Sequence, residues 1–193
     1  EAQSDVTVQT NLLEARYLDG HQALYANFLQ TVASSMNVAK FFEAKIEEQH
    51  QRHARFNDTA YNLEPNIKES PGGLRDLQNI IWIARALHLG SNWRELVKNR
   101  ILSKHAAQQL RRHERNLQML RTRLHYLANR REDRLLFDFQ NELAAQLGLT
   151  TTSRRRASEQ LMFRFYQSAK FVGLINEILL QVLRERIYPE QHT

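Results

Sequence analysis

The sequence predicts an all-α fold, a single helical bundle of about eight helices, on three observations. Only 6 glycines and 3 prolines occur in 193 residues, too few for the many turns of a sandwich or barrel. Apolar residues recur at helical spacing through most of the chain. Alternating apolar patterning is confined to Val6 through Val8, room for a short edge strand or the last strand of a preceding, truncated domain. A boundary after residue 10 follows from that, with 1–10 as the remnant and 11–193 as the helical domain.

Thr10 precedes Leu12, Leu13, Ala15, Arg16 and Tyr17, a short helix stopped at Asp19 and Gly20, with Gly20 as its C-terminal cap. A second helix is predicted over 21–34, with Ala23, Leu24, Phe28 and Val32 as its core stripe. A third, over 37–56, carries Val38, Phe41, Phe42, Lys45, Ile46 and Gln49; its polar second half, from Glu47 to His53, is expected to project toward solvent or a partner. Residues 57–70 lack periodic apolar positions and make a long connection for a bundle, a trait of functional loops. The helix from Pro71 to about Leu89 is apolar on more than one side, through Leu74, Leu77, Ile80, Ile81, Ile83 and Leu87, and so belongs at the centre. A short helix surrounds Trp93, Leu96 and Val97. Leu110, Leu117 and Leu124 then fall seven apart over 104–129, an antiparallel-bundle seam about 38 Å long at 1.5 Å per residue. Helices over 135–147, capped by Gly148, and 153–187, the most apolar, complete the bundle.

Composition narrows function. Without cysteine there are no disulfides, zinc-thiolate sites or thiol nucleophiles, and a cytoplasmic home is the default. No stretch approaches about 18 consecutive apolar residues, and no signal-peptide layout opens the chain, so no membrane is expected. Beginning at Glu1 rather than Met is what an excised piece of a longer protein would do. The net charge of +6 suits a phosphate-rich or acidic partner. Yet the arginines at 111, 112, 115, 121 and 123, 130, 131 and 134, and 154 to 156 are interleaved with Glu114, Glu132 and Asp133. Solvated helix faces account for most of them, and nucleic acid is an unlikely partner.

One segment speaks of chemistry. Tyr61 to Gln78 holds two of the three prolines, with Ser70, Pro71, Gly72 and Gly73 against the start of the central helix. Ser70 suits a cap, Pro71 the first helical position, and the two glycines allow close approach. Free N–H groups at that helix start, reinforced by Lys68 and Arg75, make a seat for phosphate. The rival reading is that the serine and proline only begin a helix and the glycines only permit tight packing. Blocks for complete active sites are absent: there is no Asp-x-Asp pair for Mg²⁺, no adjacent His-Asp pair, no P-loop and no dinucleotide glycine motif. The lone Glu-x-x-His, Glu47 with His50, lacks the companions that a dimetal site requires. No metal is expected in this chain.

Tyr61 to Gln78 resembles a hallmark segment of the bacterial PII uridylyltransferase and uridylyl-removing enzymes. Thr10 to Arg16 with Gly20 resembles the passage that leaves that family's nucleotidyltransferase domain for its helical domain. Leu124 to Leu127 and Arg131 to Gln140 resemble a later signature in the same domain, so the likeness covers about residues 5 to 185. The related glutamine-synthetase adenylyltransferases carry a similar Gly-Gly-x-Arg-Asp segment. The resemblance implies a parent enzyme that transfers UMP from UTP to a tyrosine of PII with Mg²⁺ and removes it again, according to glutamine. Its partners are then the nucleotidyltransferase, HD and ACT domains of the same polypeptide, and PII; the helical piece alone is inactive and binds no cofactor. It makes Lys68, Ser70, Gly72, Gly73, Arg75 and Asp76 candidates at the nucleotide or the domain junction. Asp76 orients Arg75 or a neighbouring loop; Glu64 and Asn66 are weaker candidates on the same edge. Asp5 and Glu14 lie where a further metal carboxylate could come from, or where capping and packing would use them. The Arg131 to Gln140 signature fits either an Arg–Asp pairing that fixes two helices or a contribution to PII docking.

Overall fold

The computed structural model describes residues 5–189. Residues 1–4 of the expected remnant domain and 190–193 of the helical domain lie outside them. Eight helices follow in order: α1 Val6–Leu13, α2 Gln22–Ser35, α3 Val38–Ala54, α4 Leu74–Ala86, α5 Trp93–Lys98, α6 Lys104–Ala128, α7 Phe137–Gln146 and α8 Ala157–Ile187. No strand occurs among the described residues; one isolated bridge joins Asn66 and Arg134.

The expected strand at Val6 to Val8 is helix instead. The Asp5 carboxylate accepts from the N–H groups of Thr7 and Val8 (2.7 and 3.3 Å) and caps α1, which a three-residue alternation cannot outweigh. The boundary drawn after residue 10 falls inside this helix. It ends at Leu13 with Glu14 as its cap, so Gly20 does not terminate it; the Gly20 N–H bonds the Asp19 carboxylate in a separate bend.

The core lies where α8 meets α4, α6 and α7, and α3 closes it over α4. Leu110, Leu117 and Leu124 of α6, with Phe165, Val172 and Leu183 of α8, are wholly buried, as the seven-residue seam requires. Each such side chain removes enough apolar surface to contribute about 1.5–3 kcal/mol.

Two helices depart from expectation. No residue of α2 is buried; Leu24, given to its core stripe, is 69% exposed, and Phe28 is exposed too. The rings of Tyr17, Tyr25 and Phe28 pack on one another, and Tyr25 donates to the Ala15 carbonyl, so α2 is held by its own entry loop rather than by the core. In α3 the polar half projects only in part: Glu47, Glu48, His50 and Gln51 are exposed, but Gln49 and Arg52, with Lys45 before them, share the inward face with Phe41 and Phe42. From Phe41, their spacing of four, four and three puts them on one helical stripe. Burial becomes tolerable because α4 supplies partners: Asn79 donates to Gln49 Oε1 and to the Lys45 carbonyl, and Asp76 receives Arg52.

Candidate functional site

The connection from 55 to 73 folds into an ordered saddle between α3 and α4. Ile67 N–H donates to the Asp133 carbonyl (2.8 Å) and Leu135 N–H to the Pro65 carbonyl (2.9 Å). Tyr166 of α8 donates to the Asn62 carbonyl, and Gln140 of α7 donates to the Leu63 carbonyl. The Arg131 to Gln140 signature therefore pins this loop, with Asp133 held by Arg121 (2.5 Å) and His125 (3.0 Å). The expected Arg–Asp pairing exists, and its arginine comes from α6.

Within the loop, Asn66 Oδ1 accepts from the N–H groups of Lys68 and Glu69, and the Ser70 hydroxyl accepts from Asn66 N–H. Ser70 is fully buried and does not cap the central helix; Pro71 is not its first residue. The helix begins three residues later, at Leu74, with Gly73 as its cap residue. Glu64 faces the other way, accepting from Phe137 N–H (2.9 Å) at the start of α7, which has no side-chain cap of its own.

The phosphate seat expected at Gly72 and Gly73 is filled by the chain itself. Gly72 N–H donates to Asp76 Oδ2 (2.7 Å), Gly73 N–H to the Ser70 carbonyl, Leu74 N–H to Ile67 and Arg75 N–H to Lys68. All four of these donors are engaged, so none is left for a ligand. The glycines answer to packing. A Cβ on Gly72 would lie 2.0 Å from the Ala169 carbonyl oxygen of α8, and one on Gly73 2.7 Å from the Lys68 carbonyl oxygen. Asp76, fully buried, orients the loop through Gly72 and pairs with Arg52 (2.7 Å) and His53 (2.9 Å), not with Arg75.

What remains open is a polar cavity of about 530 Å³ where α1, α3, α4 and the saddle meet. Glu69 gathers its cations: Lys68 Nζ at 3.0 Å, Arg75 at 3.4 Å and Arg52 Nε at 3.8 Å. Burial pushes the Glu69 carboxyl up, but the Lys68 hydrogen bond and the Arg75, Lys68 and Arg52 charges together outweigh it and hold the group below its ordinary value. Arg52 Nε is buried and makes no hydrogen bond. Trp82 forms the inner wall. Its indole N–H donates to Glu14 Oε1 (2.8 Å), while Lys45 Nζ and the Arg75 guanidinium lie over its ring at 4.4 and 5.2 Å from the centroid. Burial lowers the Lys45 pKa, the Glu48 contact partly restores it, and the charges of Arg75 and Arg52 lower it further.

Of the expected residues, the structure brings Arg75 and Glu14 to this cavity, with Lys68 beside it through Glu69; Glu64, Asn66, Ser70 and Asp5 serve as local clamps and caps. It adds Lys45, Arg52, Glu69 and Trp82, which no motif marks as site residues. The stripe Phe41, Lys45, Gln49, Arg52 is the signal in the sequence for two of them. Among the described residues no group of three or more His, Asp or Glu could hold a metal ion. Glu14 accepts from the Trp82 indole and Glu69 meets three cations.

A family model described as GlnD PII-uridylyltransferase matches residues 40–180. The bifunctional uridylyltransferase/uridylyl-removing enzyme of Nitrosospira multiformis is 51% identical over 191 residues, covering 99% of this chain and 22% of that protein. Its counterpart in Aromatoleum aromaticum is 53% identical over 190 residues, 98% of this chain and 22% of the relative. The one in Burkholderia mallei is 51% identical over 189 residues, again 98% and 22%. The chain thus spans about a fifth of the length of these relatives. No solved structure matches.

Proposed function

The chain belongs to the PII-uridylyltransferase family, and from that membership we propose that it serves as the helical domain of a bifunctional uridylyltransferase/uridylyl-removing enzyme. In this reading it packs beside a nucleotidyltransferase domain and forms one wall of the cleft in which UMP passes from UTP to a tyrosine of PII. The HD hydrolase and ACT domains, with glutamine sensing, belong to the rest of a cytoplasmic polypeptide. UTP and its Mg²⁺ sit with the carboxylates of the nucleotidyltransferase domain.

The observation that carries this reading is the cation cluster that Glu69 assembles at the mouth of the α1–α3–α4 cavity. With the helix N–H groups already engaged, help to a triphosphate would come from cationic side chains, and among the expected candidates these are Lys68 and Arg75. Both are mostly buried, at 16% and 24% exposure, so their charges are less screened than those of surface lysines and arginines. A partial negative charge that develops on the leaving pyrophosphate would strengthen both contacts in the transition state.

The test is Lys68→Ala and Arg75→Ala in the full-length enzyme. A hydrogen bond to a charged group contributes about 1.5–3 kcal/mol, so uridylylation kcat/KM for UTP should fall roughly 10- to 100-fold in each variant. Circular dichroism and thermal melting check that the variants remain folded. Unchanged turnover in folded variants would leave the cavity as a structural junction only.

A further inference from the structure

Away from the α1–α3–α4 cavity, α6 and α8 enclose a groove of about 1210 Å³. Arg112 and Arg115 of α6 and Arg164 and Lys170 of α8 line it, and all four are exposed. None of them joins an ion pair among the described residues. Glu114 lies between two of them in sequence; its carboxylate accepts from Trp93 Nε1 (2.8 Å) and feels the Arg115 charge, but it does not line the groove. Among the described residues no acidic side chain lines the groove. Elsewhere Lys45, Arg52, Arg75 and Arg121 form ion pairs with Glu48, Asp76, Glu69 and Asp133; the four groove cations form no such pair.

The floor between the cations is polar and carries no charge. Ser168, buried on α8, lies within hydrogen-bond distance of the Arg164 carbonyl (3.1 Å) and of His113 Nδ1 (3.1 Å), and its Oγ accepts from Asn116 Nδ2 (2.9 Å). Burial and then the Arg112 charge hold the His113 pKa below its ordinary value, which keeps the ring neutral. The ring also stacks on Phe171 at 4.5 Å between centroids. Apolar surface stays open beside it, with Leu174 54% exposed.

We propose that this groove docks an acidic, amphipathic segment of a partner protein, its carboxylates on the four cations and its apolar side chains on Leu174 and Phe171. The ten steps from Arg164 to Leu174 advance ~15 Å along α8, enough to seat about three turns of a partner helix. Charge complementarity selects the acidic partner, and the apolar strip selects protein over nucleic acid. A single strand would want an open aromatic face to stack on, and the Phe171 ring is already occupied by His113.

The experiment uses the 193-residue chain and a fluorescein-labelled synthetic peptide with glutamates on one helical face and leucines on the other, read by anisotropy at low and at physiological salt. Saturable binding is expected. Arg112→Glu with Arg164→Glu should weaken it at least about tenfold, while Arg16→Glu with Arg154→Glu, the same charge change on other surfaces, should leave it within about twofold. Leu174→Ser should weaken it several-fold at unchanged charge. The proposal is overturned by no binding, by equal losses in the two charge-reversed pairs, or by an unaltered affinity in Leu174→Ser. Tighter binding of a poly-uridine RNA that the Arg112–Arg164 pair abolishes would overturn it in favour of nucleic acid. Sedimentation showing a dimer that the same pair dissolves would overturn it in favour of a second copy of the chain.

Discussion

Gly72 shows how a residue that reads as a ligand seat can be held by packing alone. Its φ of +75° lies in the left-handed region, and its missing Cβ leaves room for the Ala169 carbonyl of α8. Its N–H is committed to Asp76, which also meets Arg52 and His53, so one glycine, one carboxylate, an arginine and a histidine lock α3, α4 and α8 together. Gly72→Ala must either clash with backbone or move a helix, and adds the left-handed strain. A loss of about 2–5 kcal/mol is expected, seen as a lower denaturant midpoint. Asp76, Ser70 and Gly73 obey the same local logic, since each satisfies a backbone group of the saddle. Arg75 differs because its side chain lines the cavity, and Lys68 lies beside the cavity through its pair with Glu69.

Among the elements, α2 and α6 were both expected to turn an apolar stripe to the core and have opposite fates. The α6 seam is buried to its last leucine, so Leu117→Ala should cost about 2–5 kcal/mol by opening a cavity in a packed interface. In α2 the stripe faces outward, and Leu24→Ser with Phe28→Ser should shift the melting midpoint by no more than about 2 °C. A thermal melt of the two variants side by side checks the contrast. A 3.6-residue period says only that a helix has an apolar side; which helices turn that side inward depends on the neighbours that arrive. The same principle explains α3, where Gln49 and Arg52 of the polar half turn into the fold because Asn79 and Asp76 meet them.

At the scale of the whole molecule, pH acts through groups whose folded pKa differs from the unfolded value. His113 is lowered in the fold by burial and by Arg112. Its contribution is therefore complete above its ordinary value near 6.5 and is lost as pH falls through that value, because the unfolded chain then takes up the proton first. Glu69 and Asp133, held low against the push of burial by their cations, lose their contributions only as pH falls further, below the usual carboxylate range. Denaturant midpoints measured from pH 7 to 5 should decline, and His113→Gln should flatten that decline while leaving the acid limb below about pH 4. The all-α class, the α6 seam and the central place of α4 were legible in the sequence, because periodicity is a local property. The partner of each polar side chain was not. Whether Gly72 faces a ligand or the Ala169 carbonyl, whether Lys45 and Arg52 face water or Trp82 and Asp76, and whether the stripe of α2 is core or surface turn on residues far along the chain. Helix formation is a property of the nearby chain, whereas hydrogen-bond and charge satisfaction in the interior is a property of the assembled fold, and that is what the tertiary structure alone decided.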